Sequence, residues 1–153
     1  MSVFVVRHAK AGHRNSWDGD DRVRPLSKPG LAQADAIADR LAGEQVTALI
    51  SSPYARCMQT LEPLGERVGL AVAADERLAE GTTLEDVLAL LAAAGDGAVL
   101  CSHGDVIPEL IEGLHRRGME ISSRPDWRKA TIWVLELGGG GAVARGTVEP
   151  PPI

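Results

Sequence analysis

Short, continuous apolar runs alternate along this chain with stretches whose apolar residues recur every three or four positions. The first run, Val3-Phe4-Val5-Val6, is rich in β-branched residues and reads as a buried strand. It breaks abruptly into Arg7-His8. A polar loop over 13–24 leads to Pro25-Leu26-Ser27, where Ser27 is placed to cap a helix carrying Pro29 in its first turn. Leu31, Ala34, Ile37, Ala38 and Leu41 keep helical spacing, and Gly43 marks the stop. Residues 46–50 form a second strand. Ser51-Ser52-Pro53 then turns the chain into a helix bearing Met58, Leu61, Leu64 and Val68, with Pro63 predicting a kink or local break. A third strand is expected at 70–73, a loop at 75–83 and a third helix at 84–94, with Val87, Leu88 and Leu91 on its inner face. Residues 98–101 read as a fourth buried strand, and Ser102-His103-Gly104-Asp105 opens a helix through about residue 117. A fifth strand falls within 127–137, and the glycines at 138–141 turn it into a sixth at 142–148. Pro150-Pro151-Pro152 cannot extend a sheet, so residues 150–153 are expected to be a frayed tail behind a single domain of residues 1–149.

Strands alternating with helices predict an α/β fold: a mostly parallel sheet with helices on both faces and an antiparallel element at one edge. A length of 153 residues suits one domain with a substantial core. Only 3% of residues are aromatic, so that core must be built from Ala, Val and Leu. A net charge of -5 gives no overall basic field to recruit a nucleic-acid polymer, and any anion site has to be local. Met1-Ser2-Val3 does not open a signal peptide, and no apolar run is long enough to span a membrane, so the expected setting is the cytoplasm. Cys57 and Cys101 lack metal-type spacing, read as small buried hydrophobes, and suit a reducing compartment.

The chemistry-bearing residues fall at equivalent places. Arg7-His8, the segment from Ser51 to Arg56, and Ser102-His103-Gly104 each follow a strand's C-terminal end, where one crevice of an open α/β sheet can gather them. Two arginines, two histidines and nearby helix N-termini describe an oxyanion site, and a tetrahedral phosphoryl group fits it best. The charge of Arg7 is expected to hold His8 neutral and nucleophilic. In the loop Arg77-Leu78-Ala79-Glu80-Gly81, Glu80 is placed to protonate a leaving oxygen. Bland readings stand beside these. Two histidines can be core or metal residues, Arg56 a solvated helix residue, and Glu80 one of several loop carboxylates with Asp75, Glu76 and Glu85. His13 and His115 read as surface residues, and Lys10, Arg22 and Arg24 as either a basic rim or a solvated loop.

Taken together, the motifs resemble the histidine phosphatase superfamily, which includes phosphoglycerate mutases and bacterial phosphohistidine phosphatases. The matching residues are Arg7-His8-Ala9; Arg24-Pro25-Leu26-Ser27 with Gly30; Ser52-Pro53 with Arg56, Gln59 and Thr60; Leu78 and Glu80; and Ser102-His103-Gly104. The resemblance implies that His8 is the nucleophile, that Arg7, Arg56 and His103 bind the phosphoryl group, and that Glu80 is the general acid and later the base. No metal or cofactor is implied. Two departures are Ala9, where many members carry glycine, and Arg14, which occupies the position six past the histidine; Asn15 is assigned no role. The absence of an insertion between Thr60 and Leu70 resembles the small phosphohistidine-phosphatase branch and the phosphatase half of some Nudix fusions, and argues against a mutase. The expected activity is hydrolysis of a phosphomonoester or protein phosphohistidine through a phosphohistidine intermediate. The expected partner is a phosphorylated small molecule or a phosphohistidine protein. Alternatives are a nucleotide or nucleoside-polyphosphate phosphatase and a non-catalytic phospho-ligand binder. Specificity is expected from segments 13–24 and 118–128.

Overall fold

The computed structural model describes all 153 residues. Seven strands form one sheet: β1 (Ser2–Arg7), β2 (Ala48–Ser51), β3 (Val72–Ala74), β4 (Ala98–Ser102), β5 (Glu120–Ile121), β6 (Ile132–Leu137) and β7 (Val143–Glu149). Their order is β3-β2-β4-β1-β6-β7-β5. The first four in that row run parallel, and β6 joins β1 antiparallel. β7 is antiparallel to β6 and parallel to β5. The expected α/β architecture is the one present.

Four helices cover the two faces: α1 (Lys28–Leu41), α2 (Ala55–Val68), α3 (Leu84–Ala94) and α4 (Val106–Arg116). Alternation along β1 divides the core between them. Phe4 and Val6 face a cluster with Ile37 and Leu41 of α1 and Leu61 and Leu64 of α2. Val3 and Val5 face the other, with Leu90 and Leu91 of α3 and Leu110 and Ile111 of α4. A strand buried on both faces has to be apolar at every position, hence the unbroken run that opens the chain. No helix is long and apolar enough to cross a membrane.

Several boundaries differ from expectation. Helix α2 runs unbroken through Pro63, because Leu61 and Leu64, both fully buried, anchor it on either side and packing overrides the lost ladder bond. It starts at Ala55 rather than Pro53, and α4 starts at Val106 rather than Asp105. The fifth expected strand begins only at Ile132. Ahead of it β5 forms from two residues against β7, too short to leave a periodic signal. Beyond Glu149 the chain has no regular structure, and the Gln33 side-chain amide donates to the Ile153 oxygen at 3.1 Å.

Candidate active site

His8 stands one residue past the end of β1, its backbone N–H donating to Ser102 O of β4 at 3.1 Å. The residue is 5% exposed. Its Nδ1 lies 2.8 Å from Ala9 O, and a carbonyl only accepts, so Nδ1 carries the proton and Nε2 keeps its lone pair. The imidazole pKa is lowered to about 3, chiefly by burial, with His103, Arg56 and Arg7 adding to the shift and the Ala9 carbonyl opposing it. His8 is thus neutral as expected, but the main cause is desolvation, not Arg7.

Arg7 turns its guanidinium against Gly104; a Cβ there would sit 2.7 Å from Arg7 Cζ and Nη2. Only glycine leaves the arginine that space. Its Nη1 donates to Trp127 O, while Nε is buried without a protein partner. Burial lowers the Arg7 pKa, partly offset by Asp105. Arg56 is 1% exposed and donates through Nη1 to Asp21 O (2.9 Å) and through Nη2 to Asp21 Oδ2 (3.1 Å) and Glu80 Oε1 (2.7 Å). His103 has its ring centroid 5.5 Å from that of His8. Its Nε2 meets Ser52 Oγ at 2.8 Å and Cys57 Sγ at 3.5 Å. Ser52 Oγ also accepts from Tyr54 N, so its own proton is free to go to Nε2, which assigns the His103 ring proton to Nδ1, a buried nitrogen without a protein partner.

Glu80 follows a short 3₁₀ turn, and two bonds staple its loop to the end of β4: Ser102 Oγ donates to Leu78 O (2.6 Å), and Gly81 N donates to Asp105 Oδ2 (2.9 Å). Its Oε1 also receives Arg14 Nη2 at 3.1 Å and lies 3.6 Å from His103 Nδ1. The rival carboxylates are elsewhere. Glu76 pairs with Arg22 (2.7 Å), Asp75 with Arg77 (2.8 Å), and Glu85 sits in the first turn of α3.

The remaining motif residues hold this arrangement together. Thr60 Oγ1 accepts Ala9 N, Gln59 Oε1 accepts Leu26 N, and Arg24, itself buried, donates to Gly12 O and to Asp21 Oδ1. Ser27 caps α1 at Gly30 N and also donates to Lys10 O. Gly30 is obligatory, since a Cβ there would lie 1.8 Å from Lys10 O.

The result is an open cleft of about 950 Å³ whose walls include Arg7, His8, Arg56 and Glu80, with Lys10, Arg14, Arg24 and Lys129 around them. His103 lies just beneath. The five sequence-designated residues therefore converge. Arg14, Asp21 and Lys129 belong to the same constellation without having been singled out. Arg14 had only its position six past His8 as a signal, and Lys129 had none. Exposed His13 lines the cleft too, whereas His115 lies elsewhere, bonded to Met119 O. Arg24 is a buried scaffold residue rather than rim, and Cys57 and Cys101 are both buried thiols. No three His, Cys, Asp or Glu side chains converge as a metal-binding set.

Residues 3–86 match the family model of the histidine phosphatase superfamily (branch 1). An 8-oxo-(d)GTP phosphatase of Mycolicibacterium smegmatis is 38% identical over 156 residues, covering 98% of this chain and 48% of the relative. A probable phosphoglycerate mutase GpmB of Yersinia pestis is 31% identical over 85 residues, 52% of this chain and 38% of its own. The chain thus spans half or less of the length of these curated relatives. Among solved structures, the protein histidine phosphatase SixA complexed with tungstate superposes with a TM-score of 0.75 at 24% identity, covering 99% of this chain and 97% of that one. A putative phosphohistidine phosphatase SixA from Nakamurella multipartitia gives 0.74 at 27% identity, covering 98% and 95%.

Proposed function

This chain belongs to the histidine phosphatase superfamily, and from that premise we propose that it hydrolyses a phosphomonoester or a protein phosphohistidine through a phosphoryl group carried on His8. The observation that carries the reading is the neutral, buried His8, its Nε2 lone pair free, at the wall of a cleft shared with Arg7 and Arg56. Nε2 attacks phosphorus in line, and the bond to the leaving oxygen breaks. Charge on the equatorial oxygens is met by Arg7, Arg56 and the His103 Nδ1–H. An incoming dianion draws Arg56 away from Glu80, whose carboxyl group then takes up a proton from solvent, passes it to the leaving oxygen and afterwards takes one from the attacking water. Side chains supply all of this charge, so the proposed reaction needs no metal.

The 38% identical relative, named for its action on 8-oxo-(d)GTP, supports a second reading in which the substrate is a nucleotide phosphate. A binder without turnover has no use for Glu80 stapled beside the phosphate site. Thiols at Cys57 and Cys101 fit a proposed cytoplasmic setting.

The test is labelling with a substrate carrying radioactive phosphate. The wild type should acquire acid-labile, base-stable label, and a folded His8→Ala variant should acquire none and turn over nothing. Substantial activity in that variant would remove His8 from the nucleophile's role.

A further inference from the structure

Arg7, Lys10 and Lys129 line a second cleft that adjoins the first, with Gln33, Arg128 and the tail residues Pro150 and Pro151 completing most of its wall. No aspartate or glutamate lines it. Arg14, Arg24 and Arg56 are ion-paired with Asp21 and Glu80, whereas Arg7, Lys10 and Lys129 form no ion pair. Both lysines spring from immobilised backbone. Lys10 N donates to Gln33 Oε1 at 3.0 Å, its carbonyl accepts Ser27 N and Oγ, and Gly30 packs directly on that carbonyl. Lys129 precedes Ala130, a fully buried non-glycine residue at φ 67°, whose N–H is shared between Arg7 O (3.1 Å) and His8 O (3.2 Å). A left-handed alanine is strained, and the one here keeps Lys129 beside the end of β1. The Lys129 ammonium is also less basic than usual, through partial burial and then the charges of Arg7, Arg24, Arg56 and Arg14. Lys10 and Lys129, crowded by neighbouring cations and without an ion-pair partner of their own, mark a place for an anion.

Resting on the proposed chemistry at His8 and on the second, nucleotide reading of the substrate, we infer that Lys10 and Lys129 form a second anion subsite, and that the substrate is a phosphoanhydride whose leaving group carries a phosphate into it. His8 Nε2 attacks the terminal phosphorus, the bond to the bridging oxygen breaks, and that oxygen departs with the electron pair as part of the leaving phosphate. Water then cleaves the phosphohistidine to inorganic phosphate, restoring neutral His8.

Binding and turnover test this separately. In His8→Ala protein, which holds ligand without turnover, ADP should bind at least roughly ten-fold tighter than AMP, the scale of one charge-assisted contact. Adding Lys10→Ala and Lys129→Ala should erase that difference, and Lys129→Arg should retain it. With His8 intact, the two alanine substitutions should lower the kcat/KM ratio of ADP to p-nitrophenyl phosphate by a similar factor, mainly through KM. Inorganic tripolyphosphate should lose as much as ADP. A loss confined to ADP would assign the lysines to the nucleoside and overturn the subsite, as would equal binding of ADP and AMP to the His8→Ala protein. Failure of His8 labelling with the ADP preference intact would overturn the catalytic reading and leave the subsite standing.

Discussion

His8 is kept neutral mostly by burial, and the cost of that appears as acid sensitivity of the fold. An unfolded histidine takes up its proton near pH 6.5, while in the folded chain uptake is delayed to about pH 3. Between those values the unfolded state binds more protons, so His8 makes stability fall as pH drops through that window, by at most about 1.4 kcal/mol per pH unit. Above it the contribution is constant. Denaturant midpoints of the wild type should therefore decline more steeply from pH 6.5 to pH 4.5 than those of His8→Asn. Parallel declines would mean that His8 does not carry this penalty. The same reasoning separates the two site histidines. His8 is tied through Nδ1 to a backbone carbonyl, whereas His103 is tied through Nε2 to Ser52, so one presents a lone pair and the other a proton.

The segments that follow β1 and β4 are held by other elements, and two glycines show how tight the holding is. A methyl group at Gly30 meets the rigid Lys10 carbonyl, so α1 has to shift. A methyl group at Gly104 meets only the guanidinium of Arg7, which can be pushed aside. Gly30→Ala should therefore cost about 3 kcal/mol, and roughly 10 °C in Tm for a chain of this size. Gly104→Ala should cost less than about 1 kcal/mol but lower kcat/KM by about 100-fold, because it misplaces a phosphate-binding group. Thermal melts and steady-state kinetics on both variants check this, and a reversed pattern would reject the assignment. Helix α2 shows the opposite case, in which Pro63 leaves the element whole because two buried leucines fix it.

At the scale of the molecule, a net charge of -5 coexists with a cleft lined by Arg7, Lys10, Arg14, Arg24, Arg56 and Lys129 against Glu80 and Asp105. Such a local field concentrates anions at the cleft mouth and is screened by salt. Raising salt from about 0.05 to about 0.5 M should raise KM for a phosphomonoester several-fold while kcat stays within roughly two-fold. A fall in kcat at constant KM would place the salt effect elsewhere. The amino-acid order by itself determined the βα alternation, the two-sided burial of β1, the cap at Ser27 and the family motifs around Arg7-His8 and His103, because each depends on residues adjacent or a few positions apart. Fold class and the gathering of Arg7, His8, Arg56 and His103 at strand ends were legible for that reason. Tertiary structure alone decided which loop carboxylate reaches Arg56, why Gly30 and Gly104 must be glycine, and that Lys129 arrives beside Arg7. Those outcomes rest on contacts across 20 to more than 100 residues, such as Gly30 with Lys10, Glu80 with Arg56 or Ala130 with Arg7. No local pattern encodes them, since the chain first has to close the sheet that brings β1, β4 and the segment ahead of β6 to one end.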